Sequence, residues 1–217
     1  MKVSFVIPSY GHFDLVNQLL VDLHEHCMPA EVIVVEDKSN DQAALDGLQW
    51  WAQNYGVNVI VPVENLGFLK ASNYGATFAQ GDAIVQISTD VRVEDNLTQI
   101  VSDLLTQNPF QLIGGVVYEE TTGWNEFNGK VFPYAEGWLL GCTKWTWDRL
   151  GGFDERYSPN DFEDVDISTM ALATGHVLTA LNNPKIRHQG AQTIGYTEVR
   201  RELTERNRKK FEEKWLS

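Results

Sequence analysis

Apolar residues follow two alternating rhythms along the first 90 positions of this chain. Compact β-branched runs occupy 3–7, 31–36, 57–62 and 82–88, each bounded by polar or turn-forming residues, the signature of strands buried on both faces. Between them, 14–26 sets Leu15, Leu19, Leu20 and Leu23 at helical spacing. Segments 43–55 and 69–79 read as two more helices, the second closed by Gly81. Strand and helix in alternation predict an α/β fold with a mostly parallel sheet and helices on both faces. Such sheets bind ligands beyond the C-terminal ends of their strands.

Later in the chain, 96–106 reads as a helix, and 114–147 as short strands and turns rich in glycine and aromatics. A helix after Asp161 ends at Gly175, 177–181 is a short strand, and 197–215 is a closing helix. No repeat, low-complexity tract or linker interrupts the 217 residues, so the chain reads as a single domain with two halves, 1–95 and 96–217.

Composition narrows the class. With 43% hydrophobic and 22% charged residues the chain is ordinary for a globular protein. No apolar run reaches the roughly 20 residues of a transmembrane span. The opening MKVSFVIPSY lacks a basic region and a cleavage site and reads as a buried strand. Cys27 and Cys142 stand far apart, as reduced core thiols of a cytoplasmic protein do, which leaves the Asn96-Leu97-Thr98 sequon without weight. A net charge of −13 argues against nucleic acid held on a broad basic surface. Residues 198–217 nonetheless hold seven of the 17 basic side chains. That helix reads first as a solvated face, and second as a peripheral contact for a membrane surface or a phosphate.

Candidate chemistry is densest at 151–166, GGFDERYSPNDFEDVD, where Asp154, Glu155, Asp161, Glu163, Asp164 and Asp166 surround Arg156. Asp161 as an N-cap, with Asp164 three residues on, accounts for one or two of these acids. A first-turn acid gains about 0.3–1 kcal/mol from the helix dipole. The others repel one another unless a metal, a base or an arginine lies near. Three polar loops also converge at one sheet edge: Pro8-Ser9-Tyr10, Glu36-Asp37 and Ser88-Thr89-Asp90. Together they place carboxylates where a nucleobase, a ribose and a divalent cation with oxygen ligands can be held.

Six segments in order, VSFVIPSYG, VVEDKSND, ENLGFLKASNYGA, ISTDVRVEDN, GGFDERYSPNDFEDVD and IRHQG, resemble glycosyltransferase family 2, inverting transferases with a Rossmann-like GT-A fold. The resemblance covers nearly the whole chain. It implies a nucleoside-diphosphate sugar donor of the UDP or dTDP type, and a saccharide or other hydroxyl acceptor in polysaccharide biosynthesis. Pro8, Ser9, Tyr10 and Asp37 resemble the nucleobase pocket, in which the acid accepts the imide N–H that cytosine lacks. Asn65, Gly67 and Asn73 resemble the segment lining nucleotide and sugar; Gly67 serves either close backbone approach or a plain helix start.

Asp90 matches the last acid of the family's DxD motif, which holds Mn2+ or Mg2+ against the diphosphate. Ser88 stands in place of its first Asp, with Thr89 between them. His188 matches a late histidine contacting metal or diphosphate, with Arg187 as the alternative phosphate contact. Asp164 matches the catalytic base and is preferred over Glu163. Glu163 and Asp166 then support the base or orient the acceptor. Tyr196, Arg200 and Arg201 are candidates for a lid over the product diphosphate. Of Trp124, Trp138, Trp145 and Trp147, core packing is the first reading. Trp138, in Gly137-Trp138-Leu139-Leu140-Gly141, is the choice for an acceptor platform. Two other readings remain: a binding protein of the same fold that has lost turnover, and a nucleotidyltransferase. The latter predicts a glycine-rich basic phosphate loop after strand one, which Pro8-Ser9-Tyr10-Gly11-His12 does not match.

Overall fold

The computed structural model describes residues 1–190 and 197–216. In the first half the chain runs through β1 (Val3–Ser9), α1 (Phe13–His26), β2 (Glu31–Glu36), α2 (Gln42–Tyr55), β3 (Asn58–Ile60), α3 (Phe68–Ala76), β4 (Ala83–Ile87), β5 (Val91–Val93) and α4 (Leu97–Gln107). The second half adds β6 (Gln111–Gly114), β7 (Val117–Tyr118), β8 (Glu126–Phe127), β9 (Lys130–Val131), β10 (Tyr134–Ala135) and β11 (Leu139–Thr143). It ends with α5 (Lys144–Leu150), α6 (Glu163–Ala173), β12 (Val177–Ala180), β13 (Ile186–His188) and α7 (Glu198–Trp215).

Seven strands form the central sheet in the order β12-β6-β11-β4-β1-β2-β3. All pairings are parallel except those of β11, which runs antiparallel to both neighbours. Alternate side chains leave opposite faces of a strand, so the sheet separates two cores. Phe5, Ile7, Val32, Val34 and Val85 face α1, α2 and α4, while Val6, Ile33, Ile84 and Leu140 face α3, α6 and α7. Gly75 explains how closely α3 lies on the sheet: a Cβ there would stand 2.7 Å from Val6 and 2.9 Å from Val35. The α/β alternation expected from the sequence is present, with element ends shifted by a few residues.

Two local expectations are corrected. Residues 144–150 form a helix and do not continue the strand-and-turn region, because the Thr143 Oγ1 accepts the Thr146 N–H at 3.0 Å and caps it. Asp161 does not cap α6. Asp161 and Phe162 both have positive φ (71° and 77°), and the helix starts at Glu163 without a side-chain cap. The Asp161 carboxylate turns instead to α7. At the other end, Gly175 at φ 85° stops α6 as expected.

Candidate active site

A cleft of about 910 Å³ opens beyond the C-terminal ends of β1, β2 and β4. It is lined at one end by the loops after β1 and β2, at its middle by 88–90 and His188, and at the other end by 134–138 and the start of α6.

At the first end, the β1–β2 register sets Ser9 opposite Glu36, and the Asp37 N–H donates to the Ser9 carbonyl at 2.7 Å. The buried Asp37 carboxylate accepts the N–H groups of Leu66 and Gly67 at 2.6 and 2.7 Å. Asn65 donates back to the Asp37 carbonyl at 2.7 Å. Burial raises the Asp37 pKa against the lowering effect of those two N–H donors. The acid therefore shapes the 65–67 turn as well as the cleft wall. Gly67, at φ 76° and ψ 163°, occupies a conformation that a side chain would strain. Tyr10 is exposed at the rim, and the buried Ser9 Oγ has no partner among the described residues.

At the middle, β13 pairs antiparallel with β5 and brings His188 beside Val91. The His188 Nε2 lies 3.2 Å from the Asp90 Oδ1, and the Gln189 N–H donates to the Asp90 carbonyl at 2.9 Å. Trp138 stacks on the His188 ring at 5.3 Å and 12°. Its Nε1–H donates to Glu136 at 3.0 Å, and its carbonyl accepts the Ser88 N–H at 2.9 Å. Trp138 lines the cleft but is only 7% exposed, so little of its ring is open to an acceptor. No cluster of three or more His, Cys, Asp or Glu suited to a metal occurs among the described residues. Asp90 and His188 would offer one carboxylate and one imidazole, a donor set compatible with a divalent cation that takes further oxygen ligands from elsewhere.

At the far end, Asp164 faces the cleft from the first turn of α6. Its oxygens accept the Val165 N–H at 2.8 Å and the Gly137 N–H at 3.2 Å. Burial, aided by the negative charges of Glu136 and Asp161, pushes its pKa up to about 6. Neighbouring Glu163 is 6% exposed, and its Oε2 has no partner among the described residues. Burial and the Asp164 charge raise its pKa well above the ordinary value.

Two expected site residues stand elsewhere. Asp166 lies about 200° around the helix from Asp164 and is absent from the cleft wall. It accepts from Tyr157 at 3.1 Å, Lys214 at 2.8 Å and Trp215 at 2.7 Å. Asn73 also lies outside the cleft wall. Its amide pairs with the Phe153 backbone, donating at 2.8 Å and accepting at 2.9 Å, and so joins α3 to the acidic segment.

The crowd of acids at 154–166 is resolved chiefly by α7. Lys214 bridges Asp154 and Asp166 at 2.9 and 2.8 Å, while Arg200 and Thr204 hold Asp161 at 2.9 and 2.6 Å. Hydrogen bonds from Arg156, then Lys214, hold the Asp154 carboxyl well below the usual range. The fully buried Asn207 donates to the carbonyls of Tyr157, Asn160 and Asp161 at 2.6, 2.8 and 3.0 Å. Arg206 adds the Ser158 carbonyl at 2.7 Å, and Lys210 the Arg156 carbonyl. Arg208 reaches the carbonyls of Trp124 and Glu126 at 3.0 and 2.6 Å. Arg201 pairs with Glu198 at 2.7 Å. Among the described residues, six of the helix's seven basic side chains thus have partners within the chain. Asn207 belongs to no sequence motif; only the separation of basic tail from acidic segment pointed to this helix. Arg200 and Arg201 line the cleft, whereas Tyr196 lies outside the described residues.

Comparison with known proteins places this architecture. Residues 4–174 match the family model "Glycosyl transferase family 2". The chain is 37% identical over 95 residues to the poly(ribitol-phosphate) beta-glucosyltransferase of Bacillus spizizenii, covering 42% of this chain and 15% of that protein. It is 24% identical over 140 residues to the glycosyltransferase GlyG of Streptococcus pneumoniae, covering 62% and 44%. The mannosyltransferase PcManGT from Pyrobaculum calidifontis, solved with GDP-Man and Mn2+, superposes with a TM-score of 0.65 at 19% identity, over 82% of this chain and 54% of its own. S. aureus TarS 1–349, solved with UDP, gives a TM-score of 0.66 at 16% identity, over 86% and 60%. These superpositions establish a shared fold. The chain spans less than half the length of these curated relatives. Over the matched residues, which run from β1 to the end of α6, the chain belongs to glycosyl transferase family 2.

Proposed function

We propose that this chain carries out inverting transfer of a sugar from a nucleoside-diphosphate donor to an acceptor hydroxyl, with Asp164 as the general base. The observation that carries the reading is a single cleft joining the Asp90–His188 pair to the half-buried Asp164. A carboxyl with a pKa of about 6 is ionised near neutrality and basic enough to take a proton in the transition state. The Gly137 N–H fixes one of its oxygens. As the acceptor oxygen bonds to the anomeric carbon, the bond from that carbon to the diphosphate breaks. Asp164 takes the hydroxyl proton, and the electron pair leaves with the diphosphate.

Asp37 and Tyr10 are assigned to the base of a UDP- or dTDP-type donor, and Asp90 and His188 to a divalent cation. Charge supports the cation. Asp37, Asp90, Glu136, Asp161, Glu163, Asp164 and Glu198 line the cleft, and the Arg200 and Arg201 guanidiniums there each already face an acid. Two like charges about 4 Å apart repel by about 4 kcal/mol at an effective dielectric near 20, so a diphosphate needs added positive charge. When bound, Mn2+ or Mg2+ would neutralise the departing diphosphate. Incubation with common nucleotide sugars tests the reading. Donor hydrolysis that needs Mn2+ or Mg2+ and stops with chelator is expected; neither turnover nor binding of any such donor contradicts it.

A further inference from the structure

Helix α1 buries one acid. Asp22 falls between the core positions Leu19, Leu20 and Leu23 and is 3% exposed, on the stripe where helical spacing otherwise sets leucine. A buried carboxylate is tolerated when it is paired and hydrogen-bonded, and most of Asp22's partners come from β5. It accepts the Arg92 Nε–H and Nη2–H at 2.7 and 3.0 Å and the Val93 N–H at 3.0 Å. Gln18, one turn earlier in α1, donates at 3.1 Å. The two-pronged contact with Arg92 fixes direction as well as distance.

The strand held in this way lies outside the central sheet. β5 and β13 pair with each other as a separate two-stranded ribbon. Val91, Val93 and Ile186 of the ribbon join the apolar core that includes α1. Apolar burial is non-directional and does not by itself fix where along its length the ribbon sits. On the ribbon, Arg92 stands directly opposite Arg187, a placement that destabilises like charges. Each guanidinium is neutralised by its own acid, Arg187 by Glu94 within the ribbon and Arg92 by Asp22 from α1. The Asp22 fork therefore supplies what burial lacks, a directional anchor.

Asp90 immediately precedes this ribbon, and His188 ends it opposite Val91. The Gln189 N–H closes the end on the Asp90 carbonyl at 2.9 Å. A displaced ribbon would carry the Asp90–His188 pair, 3.2 Å apart, away from the cleft loops built on β1 and β2. Neither Asp22 nor Arg92 lines the cleft, so any effect on that pair passes through the ribbon.

We infer that Asp22, through its fork with Arg92, is a positioning residue that sets the Asp90–His188 pair for a divalent cation from outside the cleft. This inference rests on the assignment of that pair to a cation in the proposed function.

Two variants and a control separate positioning from plain stabilisation. Asp22→Asn keeps the volume and loses the charge, and Arg92→Lys keeps the charge and loses the planar fork. The control, Thr143→Ala, removes the α5 cap at the opposite end of the sheet, where Thr143 pairs with Ala83 at the start of β4. Hydrogen exchange without metal reads the ribbon directly. Relative to the amides of β1, the Gln189 amide should exchange about tenfold faster or more in both variants and keep its relative rate in the control. Calorimetric titration with Mn2+ in the presence of UDP should give a dissociation constant raised about tenfold in both variants and unchanged in the control. An unchanged relative rate at Gln189, or wild-type Mn2+ affinity in both variants, overturns the inference. If the wild type binds no Mn2+, the cation assignment fails, and the exchange ratio still decides whether Asp22 holds the ribbon.

Discussion

The Gly137 N–H donates to the Asp164 carboxylate at 3.2 Å, tying the proposed base to the turn before β11 that carries Trp138 and, through the stacked ring, to His188. Asp164 and His188 are therefore joined through Gly137-Trp138. A Cβ at Gly137 would stand 3.2 Å from the Asp164 Cβ and 3.4 Å from Glu163 Oε1. Gly137→Ala should displace the base by a few tenths of an ångström and lower kcat about tenfold or more. Donor KM and Tm should change little. Steady-state kinetics beside a thermal melt checks this, and wild-type kcat would remove the positioning role from Gly137.

Asn207 satisfies three main-chain carbonyls of the segment leading into α6. Asn207→Ala leaves those buried groups short of donors and should cost about 2–4 kcal/mol of stability. Urea denaturation measures it. The variant should also lose kcat, because Asn207 of α7 holds the turn in which Asp161 and Phe162, just before Asp164, have positive φ. A loss under about 0.5 kcal/mol, within the range of ordinary surface changes, would mean that α7 is a passive cover.

Asp90→Asn keeps the side-chain volume and removes the charge facing His188. The Mn2+ concentration for half-maximal donor turnover should rise about tenfold or more, since only one carboxylate is assigned to the cation. Titration of turnover with Mn2+ checks this, and an unshifted midpoint would move the cation away from Asp90.

Much of this architecture is legible in the sequence, and the failures have physical causes. Strands β1, β2 and β4 are buried on both faces, so their apolar runs stand out against polar loops. The cleft loops could be located because parallel strands deliver their C-terminal ends to one edge. Asp166 could not be separated from Asp164 by composition; helical phase turns the two to opposite sides, and only the position of Lys214 and Trp215 determines which is structural. Asn73 shares its motif with Asn65 and Gly67, which line the cleft, yet its own amide is committed to Phe153. Trp124 and Trp138 are the same residue type in similar glycine-rich surroundings. They part only in the fold, where the His188 ring stacks on Trp138 while Trp124 stays 46% exposed.

Asp164 carries the central claim, and its pKa gives two linked consequences. A folded pKa of about 6, above the ordinary 3.8, means that the fold favours the protonated acid. The group's contribution to stability is then full below pH 3.8 and lost as pH rises through about 6. Asp164→Asn should therefore raise Tm by a few degrees at pH 8 and leave it unchanged near pH 4. Activity follows the opposite branch, because the base works only when ionised.

The most direct measurement is the pH profile of glycosyl transfer in wild type and Asp164→Asn, alongside calorimetric binding of the donor nucleotide with Mn2+. The account predicts an acid limb with a midpoint near pH 6 in the wild type. It predicts a loss of about 10²–10⁴-fold in kcat in Asp164→Asn, with nucleotide affinity retained. Transfer by Asp164→Asn within a few-fold of wild type, with the same acid limb, would contradict it.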